Sequence, residues 1–358
     1  MKILLIANLY PSEKDKTYGT FVKMFKDGIE SSTDEIKFDT CLIKGRQNSV
    51  FGKMIVYFVF YLSILYKIFF TNYDLVYNHQ ITHTAPILRL CRVFKNFPLV
   101  MNIHGSDVVT VDRISSVLLK VAIPLLQEAN LIVVPSEYFK NEVLKRIHSL
   151  DENKFFISPS GGVSKNVFHN DQERIIQKKI VYVSRIDKGK GWDVLLDAVK
   201  ILKKEKNINL MCEFYGHGEF VKDLIEKIKK YGLSDICIYH GAKTHSELNT
   251  IYNNSDLLIF PTMLYESLGL VGIESMMCGC PVIGSNIGCL PEFIISGYSG
   301  FLFEPGNAID LSDCIIRYYE LEDEEKLMMS KNAIDIAQEY EMKQVSKNMI
   351  AKLFEVFR

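Results

Sequence analysis

The sequence lacks the cysteine spacings that build disulfide frameworks or zinc sites. Its eight cysteines are scattered over 358 residues, and the only close pair is Cys278 and Cys280. No paired spacing fits four zinc ligands or a stapled small domain. We therefore expect a chain that folds around hydrophobic cores in a reducing compartment, hence the cytoplasm.

A strong charge of either sign is also missing. The chain carries 42 Lys and Arg against 43 Asp and Glu, a formal net charge of −1. Nucleic-acid binding relies on a strongly basic surface, so we expect no nucleic-acid partner. The two halves differ, because residues 1–170 have a net charge of +5 and residues 171–358 have one of −6. This modest asymmetry fits an N-terminal domain that meets an anionic surface.

Long apolar runs are rare. The run at residues 1–7 is too short for a signal peptide and breaks at residues 8–11. Residues 51–70 approach the length of a membrane span but include Lys53 and Lys67. One interpretation is a helix buried on a sheet. The other, favoured by aromatic residues on every side, is a helix with one face on the sheet and its aromatic and lysine side chains at a bilayer surface.

Apolar runs of four to seven residues alternate with helical segments along the whole chain. This alternation predicts an α/β fold with doubly wound parallel sheets. The length exceeds what one small core needs, so we expect two domains. The turn-rich residues 158–163 are the best candidate for a hinge between domains at 1–163 and 164–339. A helix at about residues 340–358 is expected to return to the first domain.

One stretch organises the second half. An apolar strand at residues 257–260 is stopped by Pro261, and a loop then leads through Gly269 into a helix that ends near Met277. The first amides of a helix have no partner within it, and the helix dipole is positive there. This junction therefore predicts an anion site.

Two carboxylates flank the junction. Glu266 precedes the helix and Glu274 lies within it, so both can reach one bound ligand. Carboxylates accept charge-assisted hydrogen bonds from sugar and ribose hydroxyls. The alternative for Glu274 is a solvated helix residue, but Ile273 and Met276 leave little polar surface around it.

These residues resemble a family. Glu-x7-Glu followed by Ser-Met-Met-Cys-Gly-Cys-Pro-Val-Ile is similar to the retaining GT-B glycosyltransferases of the large GT4 group. The motif His104-Gly105-Ser106-Asp107 after a strand also resembles this family, as do Arg185 and Lys190 five residues apart. Two places depart from the pattern. Residues 160–163 read Ser-Gly-Gly-Val where the family has Asn-Gly-Val, and Cys289 replaces a glycine.

The resemblance implies roles for individual residues. Arg185, Lys190 and the amides of Leu268 and Gly269 would hold a diphosphate, Glu274 the ribose, and Glu266 the donor sugar. The implied catalytic residues are His104, Arg185, Lys190 and Glu266. The implied donor-binding residues are Gly19, Asp107, Gly216, Ser267, Leu268, Gly269, Leu270 and Glu274.

Plainer interpretations stay open at three of these places. Gly19 fits a simple helix start, His104 a satisfied structural residue, and the loop with Arg185 and Lys190 a charged surface turn. Asp107 fits either a sugar-hydroxyl acceptor or a residue that orients its own loop.

The resemblance also implies an activity. We expect a retaining hexosyltransferase with two Rossmann-like domains that face one cleft. It would move a sugar from a UDP- or GDP-sugar, without a metal, to a lipid-linked or oligosaccharide acceptor in surface polysaccharide biosynthesis. The region 51–70 would contact the cytoplasmic face of the inner membrane. The alternatives are a nucleotide-sugar epimerase or sugar-phosphate-forming enzyme of the same fold, and a catalytically idle nucleotide-binding or membrane-associated partner protein.

Overall fold

The chain forms two compact units, each built on its own sheet. The computed structural model describes residues 1–15, 18–47, 49–108, 113–171 and 175–357. The first unit comprises residues 1–162 and 342–358, and the second comprises residues 163–341.

The first unit contains a six-stranded parallel sheet in the order β2-β1-β3-β4-β5-β6. Helices cover both faces of this sheet, so its central strands are apolar and almost fully buried. The strands are β1 (Lys2–Tyr10), β2 (Lys37–Lys44), β3 (Leu75–His79), β4 (Leu99–Asn102), β5 (Leu131–Val134) and β6 (Phe155–Ile157). The helices between them are α1 (Thr20–Ser32), α2 (Val50–Phe70), α3 (Ile81–Phe94), α4 (Arg113–Glu128) and α5 (Glu137–Arg146).

The order of the strands reverses beside β1. The chain runs outward from β1 to β2 and then returns to place β3 on the other side of β1. In an open parallel sheet, ligands bind outside the carboxyl ends of the strands at such a reversal. In this unit the place is marked by the ends of β1 and β3.

Helix α2 is attached to the sheet by one narrow stripe. Phe60, Ile64 and Ile68 recur every four residues and are the buried positions of the helix. Lys67 forms an ion pair with Asp39 of β2, with Nζ 2.5 Å from Oδ1. Of the described helices, α2 is the one long and apolar enough to cross a membrane, by length and composition. Most of its other apolar side chains are exposed.

The second unit repeats the architecture with the strand order β12-β11-β10-β7-β8-β9. Its strands are β7 (Lys179–Val183), β8 (Met211–Tyr215), β9 (Cys237–Gly241), β10 (Leu257–Phe260), β11 (Val282–Ser285) and β12 (Gly300–Phe303). Its helices are α6 (Trp192–Lys204), α7 (Val221–Tyr231), α8 (His245–Asn253), α9 (Leu270–Met277), α10 (Leu290–Phe293), α11 (Ala308–Glu320) and α12 (Asp323–Ala337). The strand order reverses between β7 and β10, so the loops that follow these two strands mark the expected ligand position.

The last helix, α13 (Met342–Phe357), belongs to the first unit and packs against α1. Its residues Met349 and Leu353 are buried in the core that also contains Phe25 and Ile29. The second unit runs from Val163 to Glu341. These two residues pair as an isolated β-bridge, and the amide of Val163 donates to the carbonyl of Tyr340. The boundary between the units therefore falls between residues 162 and 163, one residue before the boundary expected from the sequence. The α/β fold with two doubly wound parallel sheets is confirmed.

Candidate active site

In the second unit, loops from four strand ends converge. The loops after β7 and β10 meet where the amide of Met263 donates to the carbonyl of Gly189, at 2.8 Å. The loop after β8 joins them through a bond from the amide of Ile186 to the carbonyl of His217, at 3.1 Å. The loop after β11 follows, with the amide of Cys289 donating to the carbonyl of Glu266. These backbone contacts fix the positions from which the candidate side chains project.

An ion pair connects two of the predicted residues. Nζ of Lys190 lies 2.6 Å from Oε1 of Glu266, and the side chains are only 13% and 19% exposed. The hydroxyl of Thr262 donates to the same carboxylate oxygen at 3.1 Å. Glu266 is thus held from two sides, by a cation from the loop after β7 and by a hydroxyl at the end of β10.

Arg185 lies in the same loop as Lys190 but projects into solvent. Its Nη1 is 2.6 Å from Oδ2 of Asp187, and its side chain is 70% exposed. The loop itself is fixed from below, because the hydroxyl of Tyr182 lies within hydrogen-bond distance of the carbonyls of both Arg185 and Lys190. An exposed guanidinium on a fixed backbone can turn toward a bound anion at little cost.

Helix α9 begins beside this ion pair. Gly269 precedes the helix with a left-handed φ of 75°, and the first turn contains no acidic side chain. The first turn of α9 therefore supplies no carboxylate of its own to the helical amides that start at Leu270. Ser267 lies in the loop before the helix, and the buried side chain of Leu268 leaves its backbone as the group that can face a ligand.

Glu274 lies one turn further along α9. Its carboxyl has no hydrogen bond or ion pair to another described residue, and burial raises the pKa of this carboxyl from 4.5 to about 8. Its neighbour Tyr252 is fully buried, and the pKa of that phenol is raised first by burial and next by the charge of Glu274. At neutral pH the carboxyl is therefore mainly protonated.

Gly216 brings the loops after β7 and β8 together. A Cβ at this position would lie 1.8 Å from the carbonyl oxygen of Ser184, and its φ is 139°. A side chain here would both clash with backbone and strain the turn. Gly216 is thus required for the close approach of these two loops.

In the first unit, Gly19 closes the turn between β1 and α1. Its φ is 70°, and a Cβ would come within 2.7 Å of the carbonyl carbon and oxygen of Leu9. Phe21, two residues into the helix region, has its ring 4.3 Å from that of His104. The start of α1 is therefore close to the end of β4.

His104 and Asp107 are both buried at the end of β4. Oδ2 of Asp107 accepts from the amide of His104 at 2.8 Å, so the carboxyl orients its own loop. Burial raises the pKa of Asp107 to about 7, against the opposing effect of its backbone hydrogen bonds. Burial lowers the pKa of His104 to about 3, so its imidazole is neutral.

Among the described residues, no group of three or more His, Cys, Asp or Glu side chains is placed to hold a metal ion.

Comparison with known proteins decides the class of protein. Residues 167–335, which cover most of the second unit, match the family model of the glycosyl transferases group 1. The protein is a glycosyltransferase, and its second unit resembles the group 1 family. An uncharacterized glycosyltransferase of Methanocaldococcus jannaschii is 27% identical over 264 residues, 71% of this chain and 68% of that protein. A lipopolysaccharide 1,2-N-acetylglucosaminetransferase of Salmonella typhimurium is 27% identical over 56% of either chain.

The solved structures extend the match to both units. The crystal structure of Anabaena Alr3699/HepE in complex with UDP and glucose is similar to this glycosyltransferase, with a TM-score of 0.76 over 99% of this chain and 100% of that one. Its sequence is 18% identical, so this likeness shows the fold alone. The expected GT-B fold and the glycosyltransferase assignment are thus confirmed.

The sequence did not reveal three polar neighbours of the candidate residues. Asp187 holds Arg185, Thr262 holds Glu266, and His79 lies against His104. Each of these neighbours lies at or just beyond the end of a strand, close to one of the candidate residues. A polar side chain at a strand end is therefore the sequence feature by which they could have been found.

The raised pKa of Glu274 predicts how the stability of this glycosyltransferase depends on pH. The folded carboxyl holds its proton up to about pH 8, whereas the unfolded one releases it near 4.5. Rising pH between these values therefore favours the unfolded state, and the effect ends above about pH 8. Glu274→Gln removes this pH-dependent loss of stability. The melting temperature of the variant minus that of the wild type should therefore increase by several degrees from pH 5 to pH 8.

The matched control is Glu226→Gln, which changes an exposed carboxylate on α7. Its difference from the wild type should be the same at both pH values. If the melting-temperature difference between Glu274→Gln and the wild type is also the same at pH 5 and pH 8, this carboxyl ionises normally.

Proposed function

We propose that this protein is a retaining glycosyltransferase that moves a sugar from a UDP- or GDP-sugar to a lipid-linked glycan acceptor in surface polysaccharide biosynthesis. The observation that carries the proposal is the Lys190–Glu266 ion pair beside the open N-terminus of α9. Two further facts support it: the solved HepE structure contains UDP and glucose, and the Salmonella relative is a lipopolysaccharide transferase.

The donor diphosphate would be held by three kinds of group. Arg185 can donate two parallel hydrogen bonds, Lys190 supplies a point charge, and the amides of Leu268 and Gly269 stand at the positive end of the dipole of α9. These groups also stabilise the charge that develops as the diphosphate leaves, with no metal taking part. Gly216 keeps the neighbouring turn close enough to shape the nucleotide pocket.

Diphosphate binding would change the partner of Lys190. In the structure this ammonium is neutralised by Glu266, at 2.6 Å. A bound diphosphate competes for it, and the released carboxylate can then accept from hydroxyls of the donor sugar. Glu274 would accept from the ribose, and this requires that it give up the proton that burial favours.

The transfer step can then be written with its atoms in balance. The acceptor oxygen forms a bond to the anomeric carbon on the face from which the diphosphate departs. The bond from that carbon to the diphosphate oxygen breaks, and the acceptor proton passes to that oxygen. The configuration is retained because both bonds lie on one face.

The exposed face of α2 supports a membrane-bound acceptor. Phe51, Met54, Phe58 and Val59 are 58% to 72% exposed. The face continues onto α3, where Phe94 is 72% exposed and its ring contacts that of Phe69. Exposed apolar patches of this size mark interaction sites. We propose that this surface rests on the cytoplasmic face of the membrane.

The attachment of α2 to the sheet favours lying on the membrane over spanning it. The stripe Phe60, Ile64 and Ile68 stays buried, and the hydroxyl of Tyr61 donates to the carbonyl of His83 at 2.7 Å. Lys67 is bound to β2 and does not reach a bilayer surface, unlike the exposed Lys53. One face is therefore committed to the protein, and the opposite face is free for lipid.

A basic cavity of about 1250 Å³ lies in the first unit beside the start of α2. Its lining includes Lys14, Lys23, Lys44 and Arg46, with Glu13 and Asp15 as the opposing charges. Arg46 is two residues beyond β2 and four before the first residue of α2. A cavity with these cations at the end of an apolar helix fits the phosphate group that joins a glycan to its lipid.

Arg185→Ala tests the diphosphate site. The change should weaken UDP or GDP binding at least about tenfold, because a charged hydrogen bond contributes roughly 1.5–3 kcal/mol. Isothermal titration calorimetry measures the Kd. The control Lys188→Ala removes an exposed cation from the same loop and should change the Kd less than about twofold. If both variants lose the same affinity for UDP or GDP, the effect comes from the net charge of the loop and not from a contact made by Arg185.

Glu266→Gln tests the sugar contact. Transfer should fall at least about a hundredfold because the sugar loses a charged acceptor. UDP or GDP should bind as well as before or more tightly, since Lys190 no longer has to leave a carboxylate. The melting temperature should be lower than that of the control Glu226→Gln, because Lys190 keeps its shielded charge without a partner. Product analysis also separates a glycoside from an epimerised nucleotide sugar, and unchanged turnover would remove Glu266 from the mechanism.

Phe58→Asp with Val59→Asp tests the membrane surface. The wild type should float with anionic phospholipid vesicles, and the double variant should stay with the soluble fraction because two charges face the lipid. The control Ile309→Asp changes a side chain of matched exposure, 64% against 63% for Phe58, on α11 of the second unit. Co-flotation of the double variant would contradict this surface.

A further inference from the structure

The side chain of Thr262 is enclosed where β10 has ended and the loop to α9 begins. It is fully buried, and Pro261 separates it from the last residue of the strand. Its hydroxyl oxygen lies 3.1 Å from Oε1 of Glu266, the carboxylate proposed to receive the donor sugar. A buried hydroxyl at this distance can control where that carboxylate is held.

The local turn determines where the hydroxyl of Thr262 directs its proton. The amide of Leu264 donates to Oγ1 of Thr262 at 3.1 Å, so one lone pair of the hydroxyl is already used. The single proton has two acceptors within reach, the carbonyl of Leu264 at 3.5 Å and Oε1 of Glu266 at 3.1 Å. The closer acceptor is also the charged one, so the proton goes to Glu266.

The backbone of Glu266 is fixed independently of its side chain. The amide of Cys289 donates to its carbonyl at 3.3 Å, and a Cβ on Gly288 would come within 2.9 Å of its amide nitrogen and its carbonyl oxygen. The carboxylate is held by Lys190 and Thr262, and both contacts go to Oε1. Oε2 accepts from no described residue, so it is the oxygen left for a ligand.

We propose that Thr262 is the positioning residue for Glu266: its hydroxyl holds Oε1 when Lys190 turns to the donor diphosphate, and Oε2 is thereby presented to a hydroxyl of the donor sugar. This inference rests on the proposed function, in which the diphosphate takes Lys190 from Glu266. Without the hydroxyl, the carboxylate would lose its last contact at the moment of donor binding and would rotate freely. A sugar held by a rotating carboxylate is poorly oriented for transfer, and orientation contributes much of the rate.

Two substitutions separate the hydroxyl of Thr262 from its packing. Thr262→Val keeps the branched shape and removes the donor, whereas Thr262→Ser keeps the donor and removes the methyl group. Val should lower kcat about tenfold or more because a hydrogen bond to a charged group is lost, and Ser should keep kcat within about threefold of the wild type. The Kd for UDP or GDP, measured by calorimetry, should change less than about twofold in both, since other groups hold the diphosphate.

A merely structural role of Thr262 would change nucleotide binding as well. The loop that begins at Thr262 leads to the amides of Leu268 and Gly269, so a distorted loop would weaken the affinity for UDP or GDP. A Val variant that loses this affinity together with kcat would overturn the inference, and so would a Ser variant as slow as Val.

The matched control is Ser312→Ala, which removes an equally buried hydroxyl from α11 of the same unit. The hydroxyl of Ser312 donates to the carbonyl of Ile309 at 2.7 Å and not to a carboxylate. The control should keep kcat within about twofold of the wild type. A loss as large as that of Thr262→Val would show that any buried hydroxyl has this effect, and would overturn the inference.

A second background shows whether Thr262 acts through Glu266. In Glu266→Ala there is no carboxylate to hold, so the addition of Thr262→Val should reduce the remaining transfer less than about twofold. A further loss of about tenfold in this background would mean that Thr262 acts on another group, and the inference would be wrong.

The same variants distinguish failure of this inference from failure of the proposed function. Transfer by Glu266→Ala at the wild-type rate would remove Glu266 from the reaction, and the role of Thr262 with it. A slow Glu266→Ala together with a fully active Thr262→Val would reject the positioning role alone.

If the melting temperature shows that Thr262→Val has not folded, a crystal structure of the wild type with UDP or GDP decides. Lys190 should contact the diphosphate while the hydroxyl of Thr262 stays within about 3.2 Å of a carboxylate oxygen of Glu266. A carboxylate more than about 3.5 Å from this hydroxyl would overturn the inference. Lys190 still bound to Glu266 would remove the exchange of partners on which both proposals rest.

Discussion

The ion pair between Lys190 and Glu266 is the interaction on which the second unit's site depends. It joins loops that are 76 residues apart in sequence and that follow β7 and β10, the two strands beside the reversal of strand order. Without a ligand, each charge neutralises the other in a place where both are mostly shielded from water. In the proposed function, a diphosphate would take the cation and leave the carboxylate for a sugar, so one contact would prepare both halves of donor binding.

The first unit provides a different chemical environment at the corresponding strand ends. His79, His104 and Asp107 are all buried, and burial shifts the pKa of each toward its neutral form. Neutral hydrogen-bonding groups suit hydroxyl-rich ligands, because they orient a sugar without adding charge. The exposed apolar face of α2 and the basic cavity near its start belong to the same unit, so acceptor lipid, acceptor phosphate and sugar contacts are all proposed for this part of the chain.

Much of this arrangement could be predicted from the sequence. Apolar runs interrupted by Gly and Pro predicted the two parallel sheets, and polar residues after the strands predicted Arg185, Lys190, Glu266 and His104 as candidates. The pairing of those side chains could not be predicted, because periodicity reports which face is buried and not which polar groups meet across loops. Lys67 shows the limit, since it was expected at a bilayer surface and instead binds Asp39. The raised pKa of Glu274 likewise depends on burial by segments distant in sequence.

The most direct test of this account is a crystal structure of the protein with UDP or GDP bound. The account predicts that Nζ of Lys190 leaves Glu266 for the diphosphate, that Arg185 turns from Asp187 toward the same oxygens, and that the amides at the start of α9 donate to them. A structure with the diphosphate bound elsewhere and the Lys190–Glu266 pair intact would contradict it.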